Sequence, residues 1–133
     1  MKLTDDTRAG TNLIRAYTHD EIRVGERAVR HNCIVAADQL LEWSAHSATS
    51  LSVHEIEPIL ALKPEIVILG TGSEQRFPAA PVLGAILSRG VGCEVMNTGA
   101  ACRTYNVLVG EDRRVVAALI VVDPSTHSGP SAR

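Results

Sequence analysis

Cys102, Arg103 and Asn106 sit close together in the stretch GCEVMNTGAACRTYNVLVG, which spans positions 92–110. A thiol beside a guanidinium, just inside a helix opened by Asn97 or Thr98, is an arrangement that favours a thiolate. Both the helix N-terminus and the neighbouring cation stabilise negative charge. The competing role for Cys102 is a small buried hydrophobe at a tight helix–sheet contact, and no histidine lies close in sequence to act as its base. Arg103 and Asn106 are three residues apart, hence neighbours on a helix surface. They suit either a ligand or partner contact, or a tie between this helix and the N-terminal part of the chain.

A second group follows the apolar run Ile66–Leu69: Gly70, Thr71 and Gly72, with Arg76 downstream. Glycines after a buried strand resemble a phosphate-binding turn, but the patterns that bind nucleotides are missing. GxGxxG should run straight into a helix and a P-loop ends in GK[ST]; here Glu74 follows, and the next helical stripe waits until about residue 79. A sharp exit from a strand explains these glycines equally well. Three cysteines form no CxxC pair, and five histidines show no HxxxH spacing. Neither a metal nor a cofactor is therefore expected, and no residue is assigned a catalytic role.

The elements that must position these groups are legible from patterning. Leu13–Tyr17 and Glu21–Val24 read as short strands, Gly25-Glu26 as a turn, and Arg27–Ala36 as a returning hairpin partner. Asp38–Trp43 is ambiguous between a helical turn and a strand. Ser52 and Glu55 match a capping box, although Pro58 six residues on should kink the helix or push its start toward Glu55. Ile66–Leu69 lacks alternation, as a strand buried on both faces does. Ala79, Val82, Leu83, Ile86 and Leu87 form a helix stripe closed by Gly90. Cys93–Met96 is the next strand, and the following helix ends at Gly110. The apolar run Val115–Val122 is the best central strand, of undetermined direction, and Asp123-Pro124 stops it.

Placed on a helical wheel, Ala101, Tyr105, Leu108 and Val109 share one arc and Arg103 points away from it. Parallel strands at 66–69 and 93–96 would bring Gly70–Pro78 and Asn97-Thr98 to one carboxyl edge, where open α/β sheets place ligands. Glu94, a charge in an apolar strand, needs an edge position or a cation such as Arg114. The candidate binding surface is thus Gly70, Thr71, Gly72, Arg76, Asn97, Thr98, Cys102, Arg103 and Asn106.

Bulk properties narrow the function classes. A chain of 133 residues is one domain by size, read here as 11–123 with flexible tails at 1–10 and 124–133. Apolar residues make up 45% and aromatics only 3%, so the core must be aliphatic. A net charge of −2 with scattered basic residues argues against nucleic acid, and no apolar run is long enough to span a membrane. The polar N-terminus MKLTDDTRAG carries no apolar signal core, so a cytoplasmic location and reduced thiols are expected. Exposed strand edges in the N-terminal layer suit pairing across a two-fold axis, which makes a homo-oligomer a further expectation.

The segments PEIVILGTGSEQRFP (64–78), GVGCEVMNTGAACRTYNVL (90–108) and EDRRVVAAL (111–119) closely resemble a widespread family of small α/β domains. That family includes the mitochondrial assembly factor of respiratory complex I. The resemblance covers about residues 11–122 and implies an α/β fold in three layers: a central mixed sheet, helices on one side, and a smaller β-rich N-terminal layer on the other. It implies no enzymatic activity and no cofactor, and a protein partner. The family pattern usually has Asp where this chain has Asn97, which puts in doubt any mechanism needing a carboxylate there. The expected function is a non-enzymatic binding or assembly-factor-like module linked to respiratory complex assembly. The alternative is a small-molecule binder or enzyme using the carboxyl-edge loops and Cys102.

Overall fold

The computed structural model describes residues 10–123; apart from Gly10, the tails expected to be flexible lie outside the described residues. Among these residues the strands are β1 Ile14–Thr18, β2 Glu21–Val24, β3 Arg27–Val29, β4 Cys33–Ala36, β5 Gln39–Glu42, β6 Ile66–Gly70, β7 Gly92–Met96 and β8 Val115–Leu119. The helices are α1 Val53–Leu60, α2 Ala80–Leu87 and α3 Thr98–Gly110, preceded by a 3-10 turn at Ala48–Ser50.

β1, β2 and β3 form a small antiparallel sheet, and the larger sheet runs in the order β5-β4-β8-β6-β7. β6 is parallel to both β7 and β8, pairing Ile66–Gly70 residue by residue with Val115–Leu119. β8 is antiparallel to β4 on its other side, so the larger sheet is mixed. The segment Asp38–Trp43 resolves as strand, because Gln39–Glu42 pairs back on Cys33–Ala36.

Arg27–Ala36 is not one hairpin arm, contrary to expectation. β3 stops at Val29, and Arg30 to Asn32 carry the chain from the small sheet to the large one. The reason lies in Asn32, which is buried. Its amide donates to Ala45 O at 2.8 Å, and its oxygen accepts from Val121 N at 2.7 Å and Val122 N at 2.9 Å. One side chain therefore satisfies three backbone groups where β8 runs out, and that demand breaks the strand.

Helix placement follows from chain handedness. The connection from β6 to β7 steps one way across the sheet, whereas that from β7 to β8 steps back past β6. Right-handed crossovers moving in opposite directions must lie on opposite faces. Accordingly α1 and α2 cover one face, where Ile56, Ile59, Val82 and Ile86 meet Val67, Leu69, Val116 and Ala118. α3 lies on the other face with the small sheet, where Ala101, Cys102 and Tyr105 meet Ile22, Ile68, Ala117 and Leu119. The three expected layers are present, and α3 shares the N-terminal one. Successive residues of β8 alternate between the two cores, which is why an uninterrupted apolar run was required there.

One helix departs from pattern. α1 runs through Pro58 without stopping. The ring is exposed, as is His54, whose carbonyl loses its helical donor on the outer side. The Glu55 arm of the capping box is present, with Ser52 N donating to Oε1 at 2.8 Å. α3 ends at Gly110, as expected, and Asp112 at φ 63 takes the left-handed position that seals it. There Arg113 N bonds Leu108 O and Asp112 N bonds Val109 O, the paired bonds of a Schellman end.

Replacing Asn32 with Ala leaves three backbone groups without their partner. Urea unfolding should show a loss of about 3 kcal/mol, with an unchanged m-value.

Candidate functional site

Gly70 ends β6 beneath the first turn of α3. A Cβ there would lie 2.8 Å from Leu119 Cδ2, 3.0 Å from Ala101 Cβ and 3.2 Å from Thr98 Cα; only glycine lets the helix come this close. The chain then turns at Gly72 with φ 98, against the carboxylate of Asp123. Thr98 N donates to Gly72 O at 2.8 Å. The fully buried Thr98 hydroxyl accepts from Gly72 N at 2.8 Å and donates to Ile120 O at 2.7 Å. Thr71 is equally committed. Its N–H donates to Met96 O at 2.9 Å, and its hydroxyl donates to Glu74 O at 2.6 Å and accepts from Arg76 N at 3.0 Å.

The β6 exit and the α3 start therefore do share one rim at the carboxyl ends of parallel strands. Their polar groups are spent on each other. Arg76 pairs with Glu74 at 3.2 Å, and Gln75 Nε2 donates to Val95 O at 2.9 Å on β7. Glu94 is exposed on β7, at the edge of the sheet. Arg114 is not its partner: it reaches Lys63 O and Leu62 O, each at 2.9 Å, because it stands at the opposite end of the strands.

Along α3 the remaining candidates divide. Asn97 is the N-cap, its side-chain oxygen accepting from Ala100 N at 2.8 Å. Asn106 pairs with the edge of β1, accepting from Ile14 N at 2.9 Å and donating to Ile14 O at 2.7 Å, as a strand neighbour would. Tyr105 adds a bond from its hydroxyl to Asn12 O at 2.8 Å. Together they bind α3 to the N-terminal layer. Arg103 and Val107 are exposed one turn apart on the outer side of the helix. Ile14, Arg15, Tyr17, Gly99, Cys102 and Arg103 line a groove of about 210 Å³ between β1 and α3.

Cys102 does not offer a thiolate at neutral pH. It is 4% exposed, and burial pushes its thiol up to about 12 against the weaker opposing pull of Arg103. Cys33 is likewise raised to about 12 by burial and then by Cys102, and Cys93 to about 11 by burial and then by Glu94. Burial also raises the Tyr17 phenol, with further contributions from Cys102 and Asp123. Tyr17, absent from the sequence-based candidates, lines the groove with Cys102, and Asp123, also absent from them, stands against the Gly72 turn. Neither carries a local signature, since β1 and the end of the β8 segment reach these places only through the fold. Among the described residues no cluster of His, Cys, Asp or Glu could hold a metal ion.

The family described as "Protein of unknown function (DUF498/DUF598)" matches residues 14–120. The chain belongs to this family. One relative, the 13 kDa major membrane protein of Francisella tularensis subsp. holarctica, is 34% identical over 101 residues, covering 74% of this chain and 80% of that protein. Another is the NADH dehydrogenase (ubiquinone) 1 alpha subcomplex assembly factor 3 of Danio rerio. It is 33% identical over 117 residues, covering 86% of this chain and 67% of its own length.

Among solved structures, a Xanthomonas campestris protein superposes with a TM-score of 0.77 at 39% identity, covering 91% of this chain and 92% of that one. A Mth938-like domain from Bordetella pertussis gives a TM-score of 0.77 at 27% identity, covering 96% and 98%. The DUF498/DUF598 match thus supports the resemblance read at 64–78, 90–108 and 111–119. Among the described residues no helix is long and apolar enough to cross a membrane.

Two measurements check the rim and the thiol. Thr98→Val keeps the shape but strands Gly72 N–H and Ile120 C=O, so denaturant unfolding should show a loss of about 2–4 kcal/mol. Asn97→Ala should lose only about 1 kcal/mol, and Asn97→Asp should keep the cap. In native protein at mildly alkaline pH, mass spectrometry after alkylation should find Cys93 modified well before Cys33 and Cys102. Labelling of Cys102 as fast as in denatured protein would remove the buried-thiol assignment.

Proposed function

We propose that this chain is a non-enzymatic, assembly-factor-like module that acts by binding another protein, with a link to respiratory complex assembly. The observation that carries the reading is the Danio rerio relative named as an assembly factor, which aligns with 86% of this chain. The internal saturation of the carboxyl-edge groups supports it, because Thr71, Gly72 and Thr98 already have their hydrogen-bonding partners. The raised Cys102 thiol leaves the nucleophile alternative without an activated group.

The contact surface in this reading is the outer side of α3 and its groove with β1. Arg15 and Arg103 flank that groove, and Val107 stands exposed on the next turn of α3. Arginine beside an exposed apolar residue is a favourable composition for an interface centre, and two guanidiniums call for carboxylates on the partner. The module works from the cytoplasmic side, meeting a membrane complex at its aqueous face.

The test is affinity capture from gently lysed host cells, followed by identification of what co-purifies. Respiratory-complex subunits or assembly intermediates should be recovered by the wild-type chain. Arg15→Glu and Arg103→Glu should each reduce recovery at least several-fold while leaving the melting temperature in place. Asn106→Ala should instead lower the melting temperature by freeing β1. Unchanged capture by the Arg15→Glu, Arg103→Glu double variant would defeat the assignment of this surface.

A further inference from the structure

Among the described helices, α2 has a solvent side as apolar as its buried side. Its sequence APVLGAIL contains no polar or charged side chain, whereas α1 carries His54, Glu55 and Glu57 and α3 carries Arg103 and Asn106. A helix lying on a sheet ordinarily turns polar residues to water. Here Val82 and Ile86 are buried, and Ala80, Pro81, Gly84 and Leu87 face out. The chain entering the helix continues the same surface. The backbone is extended at Ala79, and Pro78 is buried between the exposed Phe77 and Ala79, so Phe77 and Ala79 turn to one side. Phe77 is 60% exposed and Leu87 56%, two of the four large hydrophobics this open among the described residues.

Shape and charge both say what fits this surface. Ala80 and Gly84 are neighbours one turn apart on the outer side, and a Cβ at Gly84 would meet nothing within 4 Å. A second helix can therefore approach closely there, with Phe77 and Leu87 standing at either end. The arrangement is symmetric about the level of Val82, with Ala80 and Gly84 close to it and Phe77 and Leu87 further out. Charge has opposite sign at the two ends. Glu74, ahead of the helix, has a side chain 71% exposed. Beyond the other end, Arg89 and Lys63 are exposed and line one groove.

A two-fold axis level with Val82 sets α2 of one copy antiparallel to α2 of another, as a self-complementary interface requires. Phe77 then meets Leu87 of the second copy, Ala80 meets Gly84, and each Glu74 meets the second copy's Arg89. A parallel pair would instead set like charges against each other at both ends.

We infer that α2 and the residues leading into it are the interface of a homodimer, with the antiparallel α2 of a second copy as the occupant. α2 alone is about 12 Å long, short of the roughly 800 Å² per partner of a standard interface, so the association is weak and grows with concentration. The α2 surface and α3 lie on opposite faces of the large sheet. A second copy at α2 therefore leaves the α3–β1 groove open to a different partner.

Sedimentation equilibrium of the full chain over a wide concentration range tests this. Wild type should pass from monomer to dimer as concentration rises. Gly84→Gln places a helix former in open space, so the monomer should melt no lower than wild type. The long side chain blocks the close approach, and dimerisation should weaken by roughly tenfold or more. Glu74→Arg and Arg89→Glu should each weaken it several-fold at low salt. An equal mixture of those two variants should dimerise as well as wild type, because both end contacts again join opposite charges. A monomer at every concentration, a dimer untouched by Gly84→Gln, or a mixture no better than its components would each overturn the inference. So would a chain that stays monomeric and is retained on phosphatidylglycerol vesicles through α2, which would assign the surface to lipid.

Discussion

The Thr98 hydroxyl holds the molecule together at the point where three segments meet. It accepts from the loop after β6 and donates to the residue just past β8, while its own backbone opens α3. In a fully buried position, a hydroxyl that satisfies two backbone groups is worth more than any of its apolar contacts, because either group left alone carries a desolvation penalty. Gly70 makes the arrangement sterically possible, and Asn97 orients the helix start from outside. With this junction formed, β6, β8 and α3 are fixed relative to one another, and both cores can close around them.

The same economy explains the division of labour along α3. Its inner face supplies Ala101, Cys102 and Tyr105 to the core, its flank supplies Asn106 to β1, and its outer side keeps Arg103 and Val107. A helix used on three sides leaves little room for a reaction centre. The thiol that looked chemically poised is surrounded by packing atoms, and burial outweighs the help it receives from the adjacent guanidinium.

Local signals made much of the fold readable. The unbroken apolar run at Val115–Val122 announced a strand with two buried faces, and the parallel pair β6 and β7 followed from the intervening helix. Features that depend on long-range demand were hidden. Asn32 carries no local signal, because its backbone partners lie 13, 89 and 90 residues away. Gly110 is the last residue of α3, but the left-handed turn that seals the helix falls at Asp112, where the chain reverses to enter β8. The rim candidates Gly70, Thr71, Gly72, Asn97 and Thr98 do converge, yet their bonding to one another is invisible in their order along the chain.

β7 has one further consequence. It is one of the two edge strands of the large sheet, and a parallel border strand ordinarily invites another chain to zip onto its free backbone. Here Gln75 folds back onto the Val95 carbonyl, and the neighbouring Glu94 is charged and exposed. That border is therefore blunted against ribbon-like extension. Complexes formed by this molecule are steered away from shared backbone ladders along β7 and toward recognition through side chains presented on helical and loop surfaces.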